Sequence, residues 1–211
     1  MVTLKKDHVG PWGMNAYALI CKETRESVLI DPGGDPKKLQ MMLQNSKPVA
    51  ILLTHTHIDH VMALSGMLNK LEVPLLLHPG EHASDFTMPD CEHSFLEDGD
   101  SFIFGNQTLH IRYAPGHIGD QICFLINPDQ DDHRIIVGDT IFEGGPGKTW
   151  SHAGFLQTIE TLKHVVLPWP DDAVCYPGHG PSFRLGDIRP QVEAFIAKDH
   201  GEFFGDADWN M

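Results

Sequence analysis

The stretch Thr54-His55-Thr56-His57-Ile58-Asp59-His60 decides the reading of this chain. Four side chains able to bind a metal, His55, His57, Asp59 and His60, fall within six residues. On one continuous helix, at ~100° per residue, they would fan out over about 200° and could not converge. They converge only where the backbone changes conformation inside the motif. The flanks predict that change. Val49 to Leu53 is a short, fully apolar run, as expected of a buried strand. A helical pattern begins near Asp59 and runs to Leu71, with Val61, Leu64, Leu68 and Leu71 on one face. His55 and His57, two apart in an extended segment, point the same way. Asp59 and His60, at the helix start, aim elsewhere. One short motif can then serve two adjacent metals, and this density of donors has no packing rationale.

Three further candidates follow, each after a predicted strand. His117 stands in Ala114-Pro115-Gly116-His117, Asp139 in Gly138-Asp139-Thr140, and His179 in Pro177-Gly178-His179-Gly180. In layered α/β folds the loops after strand ends gather functional groups from distant parts of the chain. Glycine beside each candidate lets the backbone turn close to the site. Alone, His117 or His179 would read as a surface histidine; beside the 55–60 motif each becomes a candidate ligand. A mixed His and carboxylate set suits Zn, with Fe or Mn also compatible, whereas a thiolate site would use Cys. The two oxygens of Asp139 allow it to bridge two cations. The remaining histidines lack such partners and read as surface or hydrogen-bonded residues.

Outside the motif, strands are predicted at 15–21, 27–30, 74–77, 101–104, 108–113, 122–126, 134–137 and 173–176, bounded by turn residues. Helices are predicted at 36–44, with Asp35 as N-cap, and at 155–166. A further helix near 188–198 would hold Pro190 in its first turn. Residues 79–100 read as a long acidic loop with a short helix. Strands and helices interleave, so the class is α/β or α+β in layers. No repeat or linker divides residues 1–211, which read as one domain ending in an acidic, aromatic tail, 201–211. Phe203, Phe204 and Trp209 suit that tail to docking on the domain or on a second subunit, as in a homodimer; fraying is the alternative.

The 211 residues are 41% apolar and carry a formal charge of -14. That charge argues against a nucleic-acid partner, since phosphates reward Lys and Arg. No apolar run reaches the ~18 residues of a membrane span, and the first residues do not form a signal peptide. Cys21, Cys91, Cys123 and Cys175 form no C-x-x-C pair and read as buried free thiols. A cytoplasmic protein without membrane partners is expected.

The ordered set H-x-H-x-D-H, Pro-Gly-His, Gly-Asp-Thr and Gly-His resembles the metal signature of the metallo-β-lactamase superfamily. Val28-Leu29-Ile30-Asp31-Pro32-Gly33 is similar to that family's early strand ending in Asp. The resemblance runs from about residue 10 to residue 200. It implies a four-layer αβ/βα sandwich with metals at one edge. It further implies that His55, His57 and His117 hold one ion, and Asp59, His60 and His179 a second. Asp139 would bridge them, and Asp31 would support the motif structurally.

Within the superfamily, Gly138 to Trp150 resembles the hydroxyacylglutathione hydrolase (glyoxalase II) branch in its short, single-domain form. The resemblance places Lys148 on a substrate carboxylate and Trp150 beside it. Two features depart from full-length glyoxalase II. The long C-terminal helical domain is absent, and His179-Gly180-Pro181 replaces His-Glu-Tyr. Both argue against glutathione as the thiol. The Gly-rich run 144–149 is no phosphate loop, because that motif needs Gly at Phe142.

The expected activity is therefore hydrolysis of a small, anionic acyl thioester by a hydroxide bridging two divalent ions, with Asp59 and Asp139 catalytic. A lactonase or other ester hydrolase could use the same groups. A mononuclear-iron persulfide dioxygenase would need only His55, His117 and Asp139. A non-catalytic metal-binding module fits least, since every ligand position is filled.

Overall fold

The most apolar runs, 14–21, 75–77 and 122–126 among them, become strands buried on both faces. The computed structural model describes residues 1–130 and 132–211. Two six-stranded sheets form, each paired in chain order. The first holds β1 (Val2–Val9), β2 (Met14–Cys21), β3 (Glu26–Ile30), β4 (Lys47–Leu52), β5 (Leu75–Leu77) and β6 (His93–Phe95). β1, β2 and β3 are antiparallel neighbours, and β3 to β6 run parallel. The second holds β7 (Ser101–Phe104), β8 (Gln107–Tyr113), β9 (Ile122–Ile126), β10 (Arg134–Gly138), β11 (Val174–Pro177) and β12 (Phe183–Arg184). Its pairs are antiparallel except β10 with β11.

Period-two alternation sorts each strand's side chains between layers. In β2, Tyr17, Leu19 and Cys21 face the other sheet, while Ala16 and Ala18 face helices. In β9, Ile122, Phe124 and Ile126 face inward and Cys123 outward. The helices α1 (Pro36–Met42) and α3 (Leu64–Leu71) cover the first sheet with Leu39, Met42, Leu64 and Met67. The second is covered by α4 (His152–Thr161), its π-helical continuation Leu162–Val166, and α5 (Leu185–Ile196). This is the αβ/βα sandwich. Among the described residues no helix is long and apolar enough to cross a membrane.

Several expectations are corrected. The helix expected at 59–71 is two, α2 (Ile58–Val61) and α3. Between them the Ala63 N–H donates to the Pro32 carbonyl at 2.9 Å, outside any helical ladder. Asp35 precedes α1 but does not cap it through its side chain; it is left-handed, and its carboxylate accepts from Gly10 N instead. Residues 79–100 contain β6 rather than a helix, because His93–Phe95 pairs with the open edge of β5. α5 begins three residues earlier than expected, which puts Pro190 inside it rather than in its first turn. Cys91 is only half-buried, unlike the other three thiols. β1 and β12 were not foreseen. β1 is mostly half-exposed and mixes Lys and Asp with its apolar residues, which hides its pattern. The tail docks on the chain's own body. Trp209 is buried, its ring 5.4 Å from Phe195, and its Nε1–H donates to the Glu143 carbonyl.

Asp31 follows β3 in the left-handed region at φ 53°. Its buried carboxylate accepts from Thr54 N at 2.8 Å and Thr54 Oγ1 at 2.7 Å, just past β4. It also accepts from His60 Nδ1 at 2.9 Å. The ends of two parallel strands and the start of α2 thus share one acceptor. Replacing it leaves buried donors without partners. Asp31→Ala is expected to lower stability by about 3–5 kcal/mol, the range for breaking a buried charged pair. A fall in the urea midpoint at unchanged slope checks this, and no shift would refute it.

Candidate metal centre

The fold brings all seven sequence candidates together. His55, His57, Asp59 and His60 follow β4; His117 lies between β8 and β9; Asp139 follows β10; and His179 follows β11. The His55 ring lies 4.0, 4.9 and 5.1 Å from those of His60, His57 and His117. His117 Nε2 is 2.8 Å from His57 Nδ1, and His179 Nε2 is 2.9 Å from Asp59 Oδ2. Asp139 lies in the middle, its oxygens 3.4 Å from His60 Nε2 and 3.7 Å from the Nε2 atoms of His117 and His179. Donor atoms gather within 4.8 Å in three groups: His55, His57 and His117; Asp59, His60 and His179; and, between them, His55, His60 and Asp139.

Hydrogen bonds outside the cluster aim the rings into it. His117 Nδ1–H donates to the Lys148 carbonyl at 2.7 Å, and His60 Nδ1–H to Asp31. Thr54 Oγ1 gives its proton to Asp31, so it accepts from His55 Nδ1–H at 3.0 Å. Each of these rings then presents an Nε2 lone pair inward, the arrangement that supports a metal-bound imidazole. Two glycines make room in different ways. Gly138 adopts φ 50°, a left-handed turn directly before Asp139. A Cβ on Gly178 would sit 2.1 Å from Asp139 Oδ1, so only glycine fits there.

The residues fit metal ions. His55 Nε2, His60 Nε2 and Asp139 Oδ1 are buried and have no hydrogen-bond partner. Buried polar atoms rarely go unpaired, and here three face one space. Charge points the same way. Burial, then neighbouring imidazoles, holds His55 well below its usual range and His57 at about 4. Burial also lowers His117, against the pull of Asp139. Burial works to raise Asp59 and Asp139, but the facing histidines outweigh it and keep both carboxyls low. Neutral imidazoles and ionised carboxylates are the forms that bind metal. Burial lowers His60 too, yet Asp139 and Asp31 outweigh it and raise this imidazole well above its usual range. That negative field attracts a cation as it attracts a proton.

Two grooves meet at His117. One, of about 820 Å³, runs past His57, Trp150 and the start of α4. The other, of about 520 Å³, runs past Asp139, Phe142, His179 and Lys148. Lys148 and Trp150 therefore stand at the mouth of the cluster. The Lys148 ammonium lies 4.9 Å over the Trp150 ring and 3.1 Å from Asp206 of the tail.

Other residues of the site escaped sequence reasoning. Asn15 Nδ2 donates to the carbonyls of Pro177 and Gly180, fixing the loop that carries His179. Gln121 Oε1 accepts from Asp139 N at 3.2 Å. A polar residue in or beside an apolar strand was the available signal for both. Burial lifts the Asp120 carboxyl to about 6, against the lowering pull of the nearby Thr56 hydroxyl. Nothing in the sequence singled out Asp206.

Known proteins resemble this chain in sequence and fold. The chain is 31% identical to the probable metallo-hydrolase YqgX of Bacillus subtilis, over 82% of this chain and 88% of that one. It is 30% identical to a probable hydroxyacylglutathione hydrolase of Schizosaccharomyces pombe, covering 81% of this chain but 65% of that longer protein. The crystal structure of TTHA1623 in a di-iron-bound form is 29% identical, with a TM-score of 0.72 over 88% of this chain and 96% of that one. The family model described as the metallo-beta-lactamase superfamily matches residues 9–179, which contain all seven clustered donors. The chain belongs to the metallo-beta-lactamase superfamily.

Proposed function

We propose that the chain is a dinuclear, metal-dependent hydrolase that cleaves small acyl thioesters. The observation that carries this reading is the pair of donor groups sharing a centre of unpartnered, inward-facing atoms. His55, His57 and His117 would hold one ion and Asp59, His60 and His179 a second, with Asp139 available to both groups. Zinc suits this donor set, and iron or manganese also fits. The similar di-iron structure and the hydroxyacylglutathione hydrolase relative support two ions and a thioester. Two ions would lower the pKa of water toward neutrality and polarise the acyl oxygen.

The chain's own groups do the rest. Asp139, ionised and buried, balances the positive charge from the centre. Asp59 is ionised and half-buried, and its carboxylate orients the attacking water. His117 stays aimed by the Lys148 carbonyl throughout. Lys148 receives an anionic end of the acyl group in the smaller groove, and Trp150, whose ring lies 4.9 Å from the Lys148 ammonium, lines the larger one. The larger groove takes the thiol arm. A thiolate leaves readily, so no protein acid is required at its sulfur.

Elemental analysis after metal-replete expression is expected to give two ions per chain. A panel of thioesters, lactones and a β-lactam should show thiol release as the fastest reaction. An oxygen electrode with glutathione persulfide should record no uptake in iron- or zinc-reconstituted protein. Oxygen uptake confined to the iron form, without thioester cleavage, would sink the hydrolase reading and favour a dioxygenase.

Asp139→Asn is expected to cost more than about 100-fold in kcat, the scale of losing a charge-stabilising group, together with metal from both groups. Retention of both ions and most turnover would contradict the central role of Asp139. Lys148→Ala should raise KM for an anionic substrate by about 3- to 10-fold, with little change in kcat, as for lost uniform binding through a half-exposed charge. Equal losses with a neutral substrate would show that Lys148 anchors no carboxylate.

A further inference from the structure

The acidic tail reaches the mouth of the metal centre, and one of its carboxylates sits on the predicted substrate anchor. Asp206 Oδ2 lies 3.1 Å from Lys148 Nζ, in the smaller groove that also contains Asp139 and His179. The contact is held in place from both sides. Gly205 and Thr149 exchange two hydrogen bonds, Thr149 N to the Gly205 carbonyl at 3.0 Å and Gly205 N to Thr149 Oγ1 at 3.1 Å. Beyond Asp206, Trp209 N donates to the Gly144 carbonyl at 3.2 Å and Trp209 Nε1 to the Glu143 carbonyl at 2.9 Å. Ala207 presses on Gly145, where an added Cβ would lie 2.2 Å from its carbonyl oxygen. The backbone on either side of Asp206 is thus fixed to the loop that carries Lys148, while the carboxylate itself is 80% exposed.

We propose that Asp206 is a specificity-determining residue: it occupies Lys148 in the free protein, so a substrate carboxylate must displace it, and it biases the site toward acyl groups that are neutral at that end. This rests on the hydrolase reading. An ammonium is a point charge that bonds any suitably placed carboxylate, so the protein's own and the substrate's are competitors for it. An exposed pair of this kind is weak. Asp206 therefore weakens the binding of acids without blocking it.

The test compares two thioesters of N-acetylcysteamine, succinyl and butyryl, which differ by a carboxylate on chains of equal length. In the metal-loaded enzyme, Asp206→Asn is expected to raise the succinyl-to-butyryl ratio of kcat/KM by about two- to five-fold, the range set by an exposed ion pair. Asp208→Asn, which removes the same charge from a residue whose carboxylate accepts from Asn210 N, should leave the ratio unmoved. In a Lys148→Ala background, Asp206→Asn should have no effect on the ratio, as a double-mutant cycle requires of two groups that act on each other. An unmoved ratio, an equal change from Asp208→Asn, or an Asp206 effect that survives without Lys148 would each overturn the proposal. If wild-type protein cleaves neither thioester, the hydrolase reading fails, and succinate itself becomes the probe. The Lys148 Nζ resonance, assigned by its loss in Lys148→Arg, should then shift at a lower succinate concentration in Asp206→Asn than in wild type. Equal concentrations would overturn the competition between Asp206 and the added carboxylate.

Discussion

A single carboxylate with no access to water accepts three hydrogen bonds at the point where β3, β4 and α2 meet. Asp31 binds both the backbone and the hydroxyl of Thr54, and the imidazole of His60. Thr54 in turn engages His55. Such a group is costly to bury and is tolerated only with its lone pairs filled. Its partners are therefore confined to a narrow geometry, and two of the clustered histidines inherit that geometry. The left-handed backbone at Asp31 is the local strain that makes it possible.

The second sheet contributes by a different route. Its donors stand in loops just after strands whose flanks are apolar and sunk in the core, so their positions follow from packing. Asn15 and Tyr17 reach across from β2 to the Pro177 carbonyl, at 2.8 and 2.6 Å. These contacts join the two sheets beside His179. The layers are thus registered by hydrogen bonds near the cluster and by apolar side chains such as Phe124 and Ile136 further away.

How much of this could be read in the sequence depends on how local each signal is. β7 and β9 match the sequence reading to the residue, because short apolar runs between turn residues state their own limits. The motif 55–60 announced itself by density and by the change of period inside it. The break at Ala63 did not, since the hydrophobic spacing continues across it and the cause is a carbonyl on Pro32. β6 was hidden because an edge strand of exposed residues carries little hydrophobic signal. Lys148 was visible through its family position, but its counter-charge was not. Asp206 belongs to a tail rich in acids, and only tertiary contact distinguishes it from Asp208.

The carbonyl of Lys148 holds the ring of His117, while the ammonium of the same residue holds Asp206. One short loop therefore touches the metal donors with its backbone and the tail with its side chain. By thermodynamic reciprocity, whatever free energy an ion gains from an ordered loop, the ion returns to that loop and to the tail strapped on it. If an ion binds at His117, its release and loosening of the tail would then be linked through that loop. Proteolytic nicking near Gly205 would in that case report occupancy at a centre that the protease never touches.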